Sequence, residues 1–205
     1  MAYVLGFIYA DGAVEDCRKS SRTCYLSMTN TDLELLKKIR DAMSSSHNIY
    51  LRKGGPAIIK GKRCIQRDCH VLRIGSKIMY QDLTDLGLCP RKSLIIKMPV
   101  VFEKLFNYFL RGYFDGDGCI HIDKLKRRLK IIFTSGSGIF LDQLKKKMNL
   151  NGCIVDRHGT YQLVYGGRFA EKVAYLIYQD INRAPYLEYK YKKYRDYLKE
   201  KGLRS

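Results

Sequence analysis

Two segments of this chain are near copies of one another: Val4-Leu5-Gly6-Phe7-Ile8-Tyr9-Ala10-Asp11-Gly12 and Leu110-Arg111-Gly112-Tyr113-Phe114-Asp115-Gly116-Asp117-Gly118. Each reads as a short apolar helix ending in a carboxylate and then a glycine, so the fold must accommodate two matched acids. Gly6 and Ala10, like Gly112 and Gly116, lie four residues apart on one helix face, where small residues let two helix backbones approach closely. The pattern predicts that the two segments pack on each other. Gly12 and Gly118 stand where a helix often ends in a left-handed residue, which puts Asp11 and Asp117 in the last turn. The helix macrodipole disfavours an anion there by roughly 0.3–1 kcal/mol, and two such acids side by side also repel. A bound divalent cation relieves both penalties, because hard cations take carboxylate oxygens as ligands.

Both segments resemble the LAGLIDADG motif, and the chain as a whole resembles the monomeric, two-motif LAGLIDADG homing endonucleases. The resemblance implies an α+β fold of two pseudo-symmetric αββαββα halves, each a four-stranded antiparallel sheet backed by helices, together forming a saddle over double-stranded DNA. It also implies that Asp11 and Asp117 bind the catalytic metal, Mg2+ or another divalent cation such as Mn2+ or Ca2+. The first motif departs from the family pattern at Tyr9, where the second has Asp115. Neither position is the implied metal ligand, and Asp115 reads as a polar or capping residue on another face.

The charge agrees with a polyanionic partner, since 38 Lys+Arg against 20 Asp+Glu leave +18 in 205 residues. Residues 1–100 carry a net +8 and residues 101–205 a net +10, so both halves are expected to face the polyanion. There is no basic-then-apolar leader and no apolar run of about 18 residues, so neither secretion nor a membrane partner is expected, and the site of action is intracellular. The seven cysteines form no C-x-x-C pair, and their odd number argues against a full disulfide framework, so they read as reduced thiols. Cys64, Cys69 and His70 lack a second ligand pair at zinc-site spacing.

The acids lie 106 residues apart, and the segments after the two motifs repeat one another as well. In the first half come strands at 13–16 and 23–28 and an amphipathic helix at 31–43, then strands at 48–53 and 69–74 and a helix at 77–86. The second half gives strands at 119–123 and 128–133, a helix at 137–148, strands at 153–157 and 161–165, and a helix at 168–180. Residues 54–67 form a loop far longer than its counterpart around His158-Gly159. Pro99 marks the linker, dividing the chain into halves 1–98 and 99–205. The stripe Leu187, Tyr191, Tyr194 and Leu198 predicts that 186–202 is a packed helix with a solvated lysine face, in preference to a basic tail on DNA.

By the same resemblance, a lysine near the end of each half's last helix assists catalysis, and Lys92 and Lys190 occupy those places. Base and phosphate contacts are expected from the DNA-facing sides of the strands and their turns. In the first half these are Arg18, Lys19, Arg22, Arg52, Lys53, Arg67 and Arg73. In the second they are His121, Asp123, Lys126, Arg128, Lys130, Arg157, His158 and Gln162. The alternative is a non-cleaving binder on the same scaffold, either an intron RNA maturase, with intron RNA as partner, or a DNA-binding regulator. An endonuclease excised from an intein is disfavoured, because the chain neither begins with Cys or Ser nor ends in His-Asn.

Overall fold

The computed structural model describes residues 1–15, 23–59, 61–90, 94–123 and 125–202. Its centre is the pair of motif helices, α1 (Ala2–Asp11) and α4 (Phe106–Asp117). α1 is apolar nearly all round, as a helix surrounded by protein should be, whereas α4 buries Asn107, Arg111 and Asp115 beside its apolar residues. Tyr3, Val4, Phe7 and Ile8 are buried on α1, and Phe109, Leu110, Tyr113 and Phe114 on α4.

The small residues let these helices touch backbone to backbone. A Cβ added at Gly6 would fall inside the radius of the Phe109 carbonyl oxygen and 2.9 Å from the Tyr113 nitrogen. One added at Gly112 would overlap the Tyr3 carbonyl oxygen and stand 2.9 Å from the Phe7 nitrogen. The two contacts are one contact written twice, each residue replaced by its counterpart 106 positions away, which is what a pseudo-twofold axis through the helix pair produces.

The glycines that end the helices act differently from the expectation. Gly12 (φ −82°, ψ 145°) and Gly118 (φ −97°, ψ 157°) are extended, not left-handed, and their N–H groups donate to Ile8 O and Phe114 O. Glycine is required for space, since a Cβ would stand 2.6 Å from Ile8 O at Gly12 and would collide with the Phe114 ring at Gly118. Each helix therefore turns directly into a strand.

In the first half the strands are β1 (Gly12–Val14), β2 (Tyr25–Asn30), β3 (Ile49–Arg52), β4 (Pro56–Ile59), β5 (Lys62–Ile65) and β6 (Cys69–Gly75). In the second they are β7 (Gly118–Asp123), β8 (Arg128–Ser135), β9 (Cys153–Asp156) and β10 (Tyr161–Gly166). Two four-stranded antiparallel sheets result, in the orders β1-β2-β6-β3 and β7-β8-β10-β9, so the same strand order is used twice. The segment expected as a long loop contains a separate hairpin, β4 with β5, whose Ile58 and Ile65 are exposed.

Helices α2 (Leu33–Ala42) and α3 (Lys77–Asp85) lie against the first sheet, and α5 (Gly138–Met148) and α6 (Arg168–Tyr178) against the second. The caps are those the sequence offers. Asp32 accepts from Leu35 N at 3.0 Å, Ser76 from Met79 N at 3.1 Å and Ser137 from Phe140 N at 3.3 Å. Ser137 also donates to Ile96 O at 2.7 Å and fastens the connection between the halves.

A final helix, α7 (Glu188–Glu200), buries Tyr194, Tyr197 and Leu198, with Leu187 at its cap, which is the packed amphipathic helix expected. One core runs through both halves. Cys24 is disulfide-bonded, so the expectation of reduced thiols fails there, while Cys64, Cys69, Cys89, Cys119 and Cys153 are free. Among the described residues no helix is long and apolar enough to cross a membrane.

Candidate active site and nucleic-acid face

Asp11 and Asp117 are the last residues of α1 and α4, and both are half-buried. The helix crossing brings Asp11 close to the other half. A Cβ on Gly116 would lie 3.3 Å from Oδ2 of Asp11, so the first acid rests against the last turn of the second motif. Both carboxylates act on the same groups. With burial, they push the Tyr113 phenol well up, and both favour the charged form of Lys190.

Lys190 fills the gap behind this pair. It is buried on α7, and its ammonium donates to Phe114 O (2.6 Å), Asp115 O (3.0 Å) and Gly118 O (2.6 Å). An ammonium has three protons, and all are committed to the carbonyls at the C-terminal end of α4. A cation in that position also opposes the negative end of the helix dipole. Burial lowers the Lys190 pKa, while Asp115, Asp11 and Asp117 raise it.

Replacing Lys190 with methionine keeps the stem but leaves the three carbonyls without this donor. At about 1 kcal/mol or more for each unmade buried bond, the urea midpoint should fall by the equivalent of roughly 3 kcal/mol. A midpoint within experimental error of wild type would show that the capping contributes nothing.

Positions 9 and 115, which correspond across the 106-residue offset, both brace a motif helix against the chain that returns to it. The Tyr9 hydroxyl donates to Leu86 O. Asp115 is buried and through Oδ2 accepts from the Tyr3 hydroxyl (2.7 Å) and Leu187 N (2.9 Å). Burial pushes its carboxyl up to about 6, against the pull of Lys190, Tyr3 and the Leu187 N–H. Arg111 is also buried, donating to Ile177 O (2.7 Å) and Gln179 O (2.6 Å) at the end of α6. Composition gave no sign that these charges lie inside.

Of the expected first-half contacts, Arg52, Lys53 and Arg67 line a concavity of about 370 Å³ together with Asp11. Asn30, Thr31 and Gln66 share it and were not anticipated. Their signal was position alone, beside the cap of α2 and beside Arg67. Lys53 pairs with Asp68 at 3.0 Å, and the Gly54 N–H and Lys53 together hold that carboxyl below its usual range. Arg73 is tied down. It makes a bidentate pair with Glu15 (2.8 and 2.6 Å), and its guanidinium lies 3.6 Å from the Tyr25 ring centroid. That pair holds the Glu15 carboxyl down.

In the second half, His121 stands opposite Lys130, Asp123 opposite Arg128, and Gln162 opposite Thr134, all on the face away from the core. Asp123 uses its carboxylate to build the turn, accepting from Leu125 N (3.1 Å) and Lys126 N (3.0 Å). Arg157 and His158 are exposed at the β9–β10 turn, where His158 is left-handed (φ 55°). Arg18, Lys19, Arg22 and Lys92 lie outside the described residues.

Among the described residues no three His, Cys, Asp or Glu side chains form a metal cluster, so the acidic donor set is the two aspartates. Two carboxylates fit Mg2+, which keeps several waters and takes its remaining oxygens from substrate phosphates. They do not fit a closed zinc site.

Residues 106–178 match the family of LAGLIDADG-like domains. The fold is that of the homing endonuclease I-DmoI in complex with DNA and Mn, with a TM-score of 0.56 and 18% identity over 87% of this chain and 95% of that one. The meganuclease I-SmaMI bound to uncleavable DNA is similar at a TM-score of 0.59, with 16% identity over 96% of this chain and 88% of that one. In sequence, the chain is 25% identical over 177 residues to a DNA-directed RNA polymerase subunit, Rpo1C, of Methanocaldococcus jannaschii. That match takes in 83% of this chain but only 18% of the subunit's length. A LAGLIDADG-like domain therefore stands at residues 106–178, and the same motif, strand order and helix contact are repeated before it.

Proposed function

We propose that this protein is a site-specific homing endonuclease that hydrolyses one phosphodiester on each strand of a long duplex target, using a divalent metal. The observation that carries the reading is the reciprocal glycine contact. It fixes two carboxylates at symmetry-related helix ends, with one acid available for each DNA strand. The likeness to I-DmoI solved in complex with DNA and Mn, and with Ca, supports the choice of partner and cofactor class.

Asp11 and Asp117 would hold Mg2+, which when bound lowers the pKa of a water and neutralises charge on the scissile phosphate. Lys190 acts as a positioning residue that keeps the end of α4, and so Asp117, in place. Lys92 is the candidate for donating to the leaving oxygen or a phosphate in the other half. Halves 1–98 and 99–205 each cover one half-site. Arg52, Lys53 and Arg67 lie beside Asp11, and His121, Lys126, Arg128, Lys130, Arg157 and Gln162 serve the second half. The monomer acts inside the cell, where its DNA is.

The test is selection of cut sites from a duplex library by the purified protein in Mg2+. The expected result is a single target with staggered ends, no cutting in EDTA, and binding whose log–log dependence on salt has a slope of about −7, for about 8 neutralised phosphates. Tight, specific binding without cutting in any divalent metal would overturn the catalytic reading in favour of a non-cleaving binder, to be followed by a splicing assay with intron RNA.

A further inference from the structure

The outward face of the second sheet is apolar where the first is polar. The register places Cys119 opposite Ile132, Ile132 opposite Val164, and Val164 opposite Cys153, so the four form a single row across all four strands. These side chains point away from the core. Their neighbours Ile131, Phe133 and Leu163 are fully buried on the other face, whereas Cys119 and Cys153 are exposed and Ile132 and Val164 only half-covered. The fold does not need apolar residues there. Cys119 and Cys153 are free thiols three strand spacings apart, about 14 Å, too far for a disulfide. In the row they serve as small apolar groups.

The matching row of the first sheet is Ala13, Ser27 and Arg73, with Arg73 locked to Glu15. The apolar row begins two residues after Asp117 and is bordered on the strand side by the His121–Lys130 pair. A basic border argues for a polyanion over the row, and an apolar strip within a nucleic-acid face matches the one apolar feature of a base edge in the major groove, the thymine C5-methyl.

We propose that this row reads thymine (5-methyl-pyrimidine) methyl groups in the half-site beside Asp117, so that the two half-sites are recognised by different chemistry. This rests on the endonuclease reading and specifies its substrate.

The experiment uses the full chain and its selected duplex, with deoxyuridine replacing thymidine in one half-site at a time, which removes the methyl and keeps the base pairing. Binding is measured in Ca2+. Loss of each contacted methyl should weaken binding about fourfold, the equivalent of one buried carbon, in one half-site only. In Ile132→Ser, whose side chain lies outside the core, the thymidine and uridine duplexes should bind alike. A change of less than twofold in both half-sites, with the unmodified duplex still bound and cut, overturns this inference and leaves the endonuclease reading standing. So does a selected target with no thymine in the base pairs flanking the cut. Failure to bind any duplex overturns both.

Discussion

Asp11→Asn and Asp117→Asn are each expected to end double-strand cleavage while leaving DNA binding at least as tight as wild type. Asparagine keeps the shape and one oxygen but loses the charge that would hold a divalent cation at the C-terminal end of the helix. The loss on the affected strand should reach at least 10²–10³-fold, the order found when one transition-state stabilising group is removed. Binding without metal should not weaken, because the substitution takes a negative charge away from phosphates. A supercoiled plasmid carrying the target reads both strands together, since single cuts give the nicked form and paired cuts the linear form. Linearisation by both variants at the wild-type rate would show that the metal is held elsewhere.

Gly112→Ala is the second large effect, and it needs no DNA to observe. The added carbon meets the Tyr3 carbonyl and the Phe7 nitrogen, which are backbone atoms and cannot rotate aside. The helices must separate along the centre of the molecule. Overpacking of this kind costs typically 1–3 kcal/mol and more when backbone must move, so about 3 kcal/mol is expected. For a chain of this length that corresponds to a drop in Tm of roughly 6–12 °C. Gly6→Ala should match it, because the contact is reciprocal. Gly55→Ala and Gly166→Ala, where an added carbon meets nothing within 4 Å, are the controls and should shift Tm little. Equal melting of all four variants would remove the helix contact from its central place.

The sequence was most legible where a local period reports a local structure. Leu35, Leu36 and Ile39 in α2, and Phe140, Leu141 and Leu144 in α5, are buried because helical spacing puts them on one face. The alternation Leu129, Ile131, Phe133 likewise marks the core side of β8. Reading failed where one residue type serves two purposes. A glycine after a helix permits either a left-handed turn or a close approach, and spacing cannot tell Gly12's extended geometry from a left-handed cap. The β4–β5 hairpin was hidden because its apolar residues, Ile58 and Ile65, face solvent and leave no inward stripe. The contacts of Lys190 with Phe114 O and Asp115 O span 76 and 75 residues, beyond the reach of any local pattern. So the two acids could be found from the motif and Lys190 could be named from the resemblance, but its burial and its bonds to the end of α4 could not be read from a helix expected to carry a solvated lysine face.

The backbone contact between α1 and α4 also bears on how such a protein can diversify. At Gly6 and Gly112 the two helices meet through main-chain atoms, and beside the acids only the small Ala10 methyl faces Gly116, so little there could be thickened or thinned by substitution. On the endonuclease reading proposed above, the offset between the two cuts, and hence the length of the single-stranded ends, would then be set by the scaffold. The outward rows of the two sheets carry no such constraint. On that same reading each half could exchange its recognition surface, by drift or by engineering, and the product would still leave the same overhang.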